Sequence, residues 1–417
     1  MNKQISFFST AFTGGAGIAA KRLYDGLQGY EATFNFYHAG NFKPPLAAGL
    51  TKWTQKIKTS LYYRTIEQKL ANRPTGLELF SPATLQYATP IPAQELIATK
   101  KTLIQLHWIN GMLDIPSFFA SIPAHIPIVW TLHDFNTFTG GCHYPSTCRK
   151  FETTCKNCEQ LGIPSKAMYA FENQQDKANA LKNKNLHIVT PSHWLQTKAE
   201  KSSVLRHARS FQTISNGLDM QEFKPLDKQL CRQVLEIPLT NFVLAFGAEK
   251  LDTTRKGLHY LWEALQLLSK QHIPITLLLF GKNYFIPQDI SHAVHVCYVG
   301  EVNKGILQRM LYSAADAFIL PSLEDNQPLT CLESMSCGTP VIGFREGGLP
   351  EMVIHEQTGL LATLGSSEEL ASAIRYLYTN PMRSKQLGEQ ARTFALQNFD
   401  SNQQAQRYWE LYEKLLN

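Results

Sequence analysis

Carboxylates, cations and glycines gather at three places along the chain, each where an apolar run gives way to a helical one. The fullest stretch runs from Leu320 to Gly343. Leu320-Pro321-Ser322 closes an apolar run, Glu324-Asp325-Asn326-Gln327-Pro328 follows, and a helical pattern begins near Leu329. A helix start presents backbone N–H groups that lack intrahelical acceptors, so it suits a phosphate. Glu333 lies one turn further in, on a face that reaches toward a ribose, and carboxylates accept hydrogen bonds from vicinal hydroxyls. One acid for a sugar and one for a ribose is coherent chemistry; the alternative is an acid complementing the helix dipole plus a structural glutamate. In Thr254-Arg255-Lys256-Gly257, two cations stand where another helix opens and suit a diphosphate, with a solvated Lys/Arg pair as the alternative. Thr13-Gly14-Gly15-Ala16-Gly17 lets backbone N–H groups approach a ligand. It is neither the G-x-G-x-x-G pattern nor, without a lysine, a P-loop, and a tight turn explains it as well.

Two further constellations carry chemistry. His133, in Thr131-Leu132-His133-Asp134, ends an apolar run at the edge where parallel sheets bind ligands; it is a functional residue there, unless it is structural. His107 and Trp108 close another such run. Cys142, Cys148, Cys155 and Cys158 fall in one loop, the last two as C-x-x-C. Four soft ligands suit a closed tetrahedral zinc, and the loop is too polar to build its own core; reduced thiols and disulfides are the other readings. Cys231, Cys297, Cys331 and Cys337 are scattered and read as buried hydrophobes.

The elements that position these residues alternate. Ile5–Ser9, Leu103–Leu106, Ile128–Leu132 and His187–Thr190 read as strands in the front half, beside helices at Ile18–Leu27 and Asn173–Leu181. In the back half the strands are Phe242–Gly247, Ile275–Gly281, Val294–Val299, Ala317–Pro321 and Pro340–Phe344. Helices at Leu258–Leu268, Lys304–Ala314 and Leu332–Cys337 separate them, and Ser384–Leu416 is strongly helical. Strand, glycine turn and helix recur in both halves, so the fold class is α/β, with two doubly wound domains joined near Asn216-Gly217. Residues 40–98 fit no element clearly, and the helix around Thr51–Leu70 reads as a surface insertion.

With 417 residues, 44% hydrophobic and 18% charged, the chain is neither disordered nor a coiled coil. Its net charge of +6 divides unevenly: residues 1–218 hold 23 basic and 12 acidic residues, the remainder 17 and 22. A basic front half suits an anionic partner, a membrane surface or an acidic substrate, or is simply solvated lysine. No apolar run approaches the ~18–20 residues of a membrane span. The N-terminal apolar stretch is short and interrupted by Ser9 and Thr10, so it reads as a first strand rather than a signal peptide, and an intracellular chain with reduced cysteines is expected.

Taken together, these motifs resemble the retaining group 4 glycosyltransferases (glycosyl transferases group 1) that use nucleotide sugars. Glu333-Ser334-Met335-Ser336-Cys337-Gly338-Thr339-Pro340-Val341 is similar to the second half of their acidic signature. The family's first glutamate falls on Asp325, with Glu324 beside it, and its arginine after the strand-ending glycine is absent, Ala248 following Gly247. The likeness extends through Gly347-Gly348-Leu349-Pro350-Glu351 and His355 to Thr358-Gly359-Leu360, and takes in Arg255-Lys256-Gly257, the Asn216-Gly217 hinge and the N-terminal glycine loop. A subset of the family carries a similar cysteine loop.

The resemblance implies a GT-B fold, two Rossmann-like domains facing across a cleft. Residues 1–218 would be the acceptor side, with the Cys-rich loop at 140–160; residues 219–394 would bind the nucleotide sugar, and a helix at 395–417 would pack back on the first domain. It implies that Lys256, with Arg255, holds the donor diphosphate. Asn326, Gln327, Pro328, Leu329 and Thr330 would cradle the phosphates, Glu333 would hold the ribose, and Asp325 or Glu324 the donor sugar. Gly14, Gly15 and Gly17 would close on the diphosphate, and His133 would stand on the acceptor side. The implied activity is a hexosyltransferase-type transfer with retention and without a catalytic metal, zinc being at most structural. The expected setting is polysaccharide or glycolipid assembly in the cytoplasm, peripheral to the inner face of an anionic membrane, with a glycan or lipid-linked acceptor and no nucleic acid. A non-catalytic nucleotide-sugar-binding protein of the same shape is the alternative.

Overall fold

The structure is a computed structural model that describes residues 3–41, 80–84, 101–162, 167–283, 285–287, 290, 294–302 and 305–417, with isolated positions between 57 and 68. The surface insertion expected around Thr51–Leu70 lies largely outside the described residues, as does most of 40–98. The chain divides into two units: unit 1 comprises Met1–Ile214 and Ala405–Asn417, and unit 2 comprises Ser215–Gln404.

Unit 1 is built on a six-stranded parallel sheet. Its strands are β1 (Gln4–Phe8), β2 (Thr33–Tyr37), β3 (Thr102–Leu106), β4 (Pro127–Thr131), β5 (Asn185–Thr190) and β6 (Ser210–Thr213), in the order β2-β1-β3-β4-β5-β6. Every residue of β1, β3 and β4 is buried. Parallel strands covered on both faces read as unbroken apolar runs, which is why these strands were visible as expectations. Phe8, Leu106, Trp130 and Phe138 fill one side of the sheet. Ile5, Phe7, Val129 and Val189 fill the other, together with Tyr408 and Tyr412 from the C-terminal helix. Helix α1 (Gly14–Gly26) follows β1 directly.

Unit 2 repeats the plan. Strands β7 (Phe242–Lys250), β8 (Ile275–Lys282), β9 (His295–Gly300), β10 (Ala317–Leu320), β11 (Val341–Phe344) and β12 (Gly359–Ala362) lie in the order β12-β11-β10-β7-β8-β9, all parallel. Val243, Ala245, Leu278 and Phe318 face one core and Leu244, Phe246, Leu261 and Leu277 the other. Strand order reverses between β7 and β10, which pair through Ala317 with Leu244 and Phe318 with Ala245. Open α/β sheets bind ligands outside such a reversal, at the carboxyl ends of the strands. Helix α2 (Leu258–Ser269) follows β7, α3 (Ile306–Ala314) precedes β10, and α4 (Leu329–Ser336) follows it.

The expected single helical stretch at Ser384–Leu416 is two helices, Pro381–Asn398 and α5 (Ser401–Leu416). They part at Phe399-Asp400, where Leu218 donates its N–H to the Phe399 carbonyl. From Ala405 onward α5 belongs to unit 1.

Candidate nucleotide-sugar site and histidine cluster

The loops leaving β7 and β10 meet at the reversal point of unit 2. A short 3₁₀ turn at Thr254–Lys256 carries both cations and ends in Gly257, whose φ of 73° is left-handed. A Cβ there would stand 1.8 Å from the Pro321 carbonyl oxygen, so only glycine permits both the backbone and the approach of this turn to the end of β10. The Leu323 N–H then donates to the Arg255 carbonyl, and the Arg255 guanidinium donates to the Glu324 carbonyl at 2.7 Å. Lys256 Nζ bonds Asp325 Oδ2 at 2.6 Å, with Arg255 3.5 Å from the same oxygen. Burial alone would raise the Asp325 carboxyl; the Lys256 ammonium and then Arg255 outweigh it and hold it below the ordinary carboxylate value. The Asp325 carbonyl is gripped from behind by the Gly348 N–H at 2.9 Å, in a turn where a Cβ on Gly347 would lie 2.2 Å from it.

Beyond this turn α4 begins at Leu329 with Pro328 as N-cap, whose own side chain makes no capping bond. Asn326 and Gln327 are buried in the loop before it. Gln327 Oε1 accepts from the Asn216 N–H at 2.6 Å, so that side chain holds the loop to the 215–219 segment. Glu333, 4% exposed, lies a turn inside α4, and its Oε2 accepts from Gln308 Nε2 at 2.6 Å and from the Tyr312 hydroxyl at 3.0 Å. Both donors stand one turn apart on α3 and orient the carboxylate. Burial, then the neighbouring Glu333 charge, pushes the Tyr312 phenol well above its ordinary value, so it remains a donor. Gln308 and Tyr312 were not foreseen; their spacing is that of any amphipathic helix. The structure thus brings Arg255, Lys256, Glu324 and Asp325 together, with Asn326 to Thr330 and Glu333 on the segment that follows.

In unit 1, α1 opens at Gly14 with φ 70°, and Thr13 as N-cap makes no side-chain bond. Gly15 faces open space, whereas Gly17 packs on the Ala11 carbonyl. The Thr10 N–H donates to the Trp108 carbonyl, joining the loops after β1 and β3. His107 and His133, one at the end of β3 and one just past β4, meet directly: His107 Nδ1 lies 3.0 Å from His133 Nε2. Both imidazoles are neutral at pH 7. Burial and then His133 lower His107 well below its ordinary value, and burial, opposed by Asp134, lowers His133 to about 4.

Asp134 turns instead to His143, 3.1 Å away, and His143 bonds the Ser81 hydroxyl at 2.9 Å. This Ser–His–Asp chain invites a nucleophile reading. The adjacent Gly140 and Gly141 N–H groups, however, already bond Cys155 Sγ and Thr139 Oγ1, so these two are not available as an oxyanion hole, and what the chain visibly does is tie Ser81 to the loop after β4. Nearby Lys177, wholly buried, donates to the Asn136 and Thr139 carbonyls, and burial lowers its ammonium to about 8 against the pull of Asp134.

Cys142, Cys148, Cys155 and Cys158 all line one cavity of about 250 Å³, with Phe80, Phe151 and Ala170. All four are free thiols. Burial raises Cys142 and Cys158 and pushes Cys155 up to about 11, so these three are protonated at neutral pH. Among the described residues, no group of three or more His, Cys, Asp or Glu side chains is placed to hold a metal ion. Among them, too, no helix is long and apolar enough to cross a membrane.

Residues 228–394 match the family described as glycosyl transferases group 1. The chain is 32% identical over 106 residues to N-acetyl-alpha-D-glucosaminyl L-malate synthase of Bacillus anthracis, covering 25% of this chain and 28% of that protein. It is 26% identical over 218 residues to a D-inositol 3-phosphate glycosyltransferase of Saccharomonospora viridis, 49% and 50% respectively. It therefore spans no more than half the length of these curated relatives. Among solved structures, Anabaena HepE in complex with UDP and glucose superposes with a TM-score of 0.62 at 19% identity, over 99% of this chain and 100% of that one. That likeness establishes the GT-B fold, with two parallel-sheet α/β domains of six strands each.

Proposed function

Because unit 2 carries a glycosyl transferases group 1 domain, we propose that the chain transfers a sugar from a nucleoside diphosphate donor to an acceptor hydroxyl, with retention of anomeric configuration and without a catalytic metal. One observation carries this reading. At the strand reversal, Lys256 and Arg255 flank a buried carboxylate beside a helix start whose N-cap side chain makes no capping bond, and a glutamate oriented by two donors lies a turn deeper. HepE, bound to UDP and glucose, supports a nucleotide sugar as the donor. Both curated relatives bear names of enzymes that handle sugars.

On this reading the diphosphate displaces Asp325 as the partner of Lys256 and Arg255, and the N–H groups at the start of α4 take its remaining oxygens. Glu333 accepts from the ribose hydroxyls, and the freed Asp325 carboxylate turns to the hydroxyls of the donor sugar. Charge develops on the β-phosphate as the anomeric C–O bond breaks, and the cations stabilise it where it forms. The acceptor oxygen bonds the anomeric carbon on the same face, and its proton passes to the departing phosphate oxygen, so no enzyme nucleophile is needed. His133, Gly14, Gly15 and Gly17 serve the reaction from unit 1. The acceptor is an anionic or lipid-linked glycan at the inner face of a membrane, in polysaccharide or glycolipid assembly; the basic residues of 1–218 favour it. Vesicle binding that ignores both anionic lipid and salt would remove that last element.

The test is nucleotide release from a panel of nucleotide sugars by wild type, Glu333→Ala and Lys256→Ala. Loss of turnover in both variants is expected. Near-normal rates in both reject the assignment, and donor binding without turnover, acceptors present, means a binding protein instead.

A further inference from the structure

A hydrogen-bond chain through the core of unit 1 ends on His133, and its polarity follows from one backbone carbonyl. Gln105, fully buried on β3, sits at the centre. Its Nε2 lies 2.9 Å from the Leu106 carbonyl oxygen, 2.9 Å from Thr131 Oγ1 and 3.3 Å from His107 Nε2. Its Oε1 accepts from the Tyr412 hydroxyl at 2.8 Å. The opposite amide orientation would set Oε1 against the Leu106 carbonyl, two acceptors face to face, so that carbonyl fixes which end of the amide donates. The two N–H groups serve the nearer partners first, and the NH₂ has no lone pair to offer; a proton on His107 Nε2, 3.3 Å away, would face a donor, so the tautomer that fits leaves Nε2 bare. The proton of neutral His107 then lies on Nδ1, which faces His133 Nε2 at 3.0 Å. His133 Nε2 is consequently the acceptor of that bond. The Tyr408 hydroxyl, 2.7 Å from Thr131 Oγ1, closes the network from the same C-terminal helix as Tyr412.

We propose that Gln105 and His107 are positioning residues that hold His133 with its proton on Nδ1 and its Nε2 engaged, so that its ring offers no lone pair and never acts as a general base. The polarity itself rests on unit 1 alone; its catalytic meaning rests on the transferase reading above. With no free ring lone pair, His133 does not take the acceptor hydroxyl's proton, and the departing phosphate oxygen is left to receive it. Among the described residues, the charged and titratable groups seen to bear on His133 include His107, which faces it across the bond, and Asp134, whose carboxylate is also bonded to His143. Burial keeps His133 neutral to about pH 4, so the arrangement holds across the physiological range.

Ring-nitrogen NMR of the full chain labelled with ¹⁵N-histidine reads this directly, with His107 and His133 assigned from single His→Gln variants. The expected spectrum shows His133 protonated on Nδ1 and bare on Nε2, unchanged from pH 7.5 to pH 5.5. Gln105→Glu sets an acceptor against His107 Nε2, draws its proton there, and is expected to move the His133 proton to Nε2. A wild-type His133 protonated on Nε2, or charged at pH 6, overturns the proposal, as does a folded Gln105→Glu variant with an unchanged His133 tautomer. Should that variant not fold, the wild-type spectrum decides alone. The expected spectrum in a protein without sugar transfer would reject only the transferase reading; an Nε2-protonated His133 in an active protein would reject only this one.

Discussion

Glu333→Gln separates the role of this residue from mere burial. The carboxylate is 4% exposed, and one of its oxygens accepts two donors, Gln308 Nε2 at 2.6 Å and the Tyr312 hydroxyl at 3.0 Å. A glutamine there can aim its Oε1 at both donors and keep them satisfied, so at these two bonds the fold loses only the charge assistance, about 1 kcal/mol. Its NH₂, however, replaces the oxygen that a ribose hydroxyl would need. A hydrogen bond to a charged acceptor contributes about 1.5–3 kcal/mol, which makes nucleoside diphosphate binding roughly ten- to a hundred-and-fifty-fold weaker. Isothermal titration of wild type and variant with UDP, and with ADP in parallel, measures this. Repeating the titrations with the 2′,3′-dideoxy nucleotides closes a double-mutant cycle between side chain and ligand. Losing the hydroxyls should cost the wild type about what it loses on Glu333→Gln, and cost the variant little. Equal weakening of the normal and dideoxy nucleotides by the substitution, or none, would refute a ribose contact at this residue.

Three further outcomes follow from the geometry. Lys256→Ala removes the nearer of the two cations beside Asp325, leaving Arg255 at 3.5 Å, and should lower unfolding stability by about 1–3 kcal/mol at pH 7. The Asp325 carboxyl is lowered in the fold, so its contribution is full above the ordinary carboxylate value and disappears as pH falls through the lowered one; urea titrations from pH 7 toward pH 3 should show the gap between wild type and variant closing. Gly257→Ala must accommodate a φ of 73° and a Cβ 1.8 Å from the Pro321 carbonyl, and should cost roughly 2 kcal/mol or more, read as a fall in Tm. The buried, protonated Cys142 and Cys155 should react with a thiol reagent at pH 7.5 only after unfolding, and prompt native labelling of both would contradict their burial.

Strands buried on both faces announce themselves as apolar runs, and the central strands of both sheets were legible for that reason. Of the four edge strands only β9, foreseen at Val294–Val299, was legible; the other three were not. In β2, Thr33–Tyr37, no residue is fully buried, and β6 at Ser210–Thr213 is short and polar, so neither shows a continuous run. Strand β12, only four residues long, lies inside a motif noticed for its glycine. The acid and base types of the unit 2 site were legible because strand, loop and helix start follow one another directly in the chain. Their supports were not: Gln308 and Tyr312 reach Glu333 from the preceding helix, and Gln105 finds Tyr412 across 307 positions. A buried polar residue in an apolar strand signals that a partner exists without saying where in the chain it is.

Helix α5 supplies Tyr408 and Tyr412 to the core beneath β1, β3 and β4, yet it is translated after every strand of unit 2. At ordinary elongation rates, roughly 10–40 s separate the emergence of Ile214 from that of the helix which roofs the same sheet. During that interval Ile5, Phe7, Leu103 and Val129 stand without their cover on the nascent chain, a greasy surface that holdase chaperones would shield. Unit 1, begun before unit 2, is thus completed only after it, and growth temperature should bear on yield more heavily than the finished protein's resistance to heat would suggest.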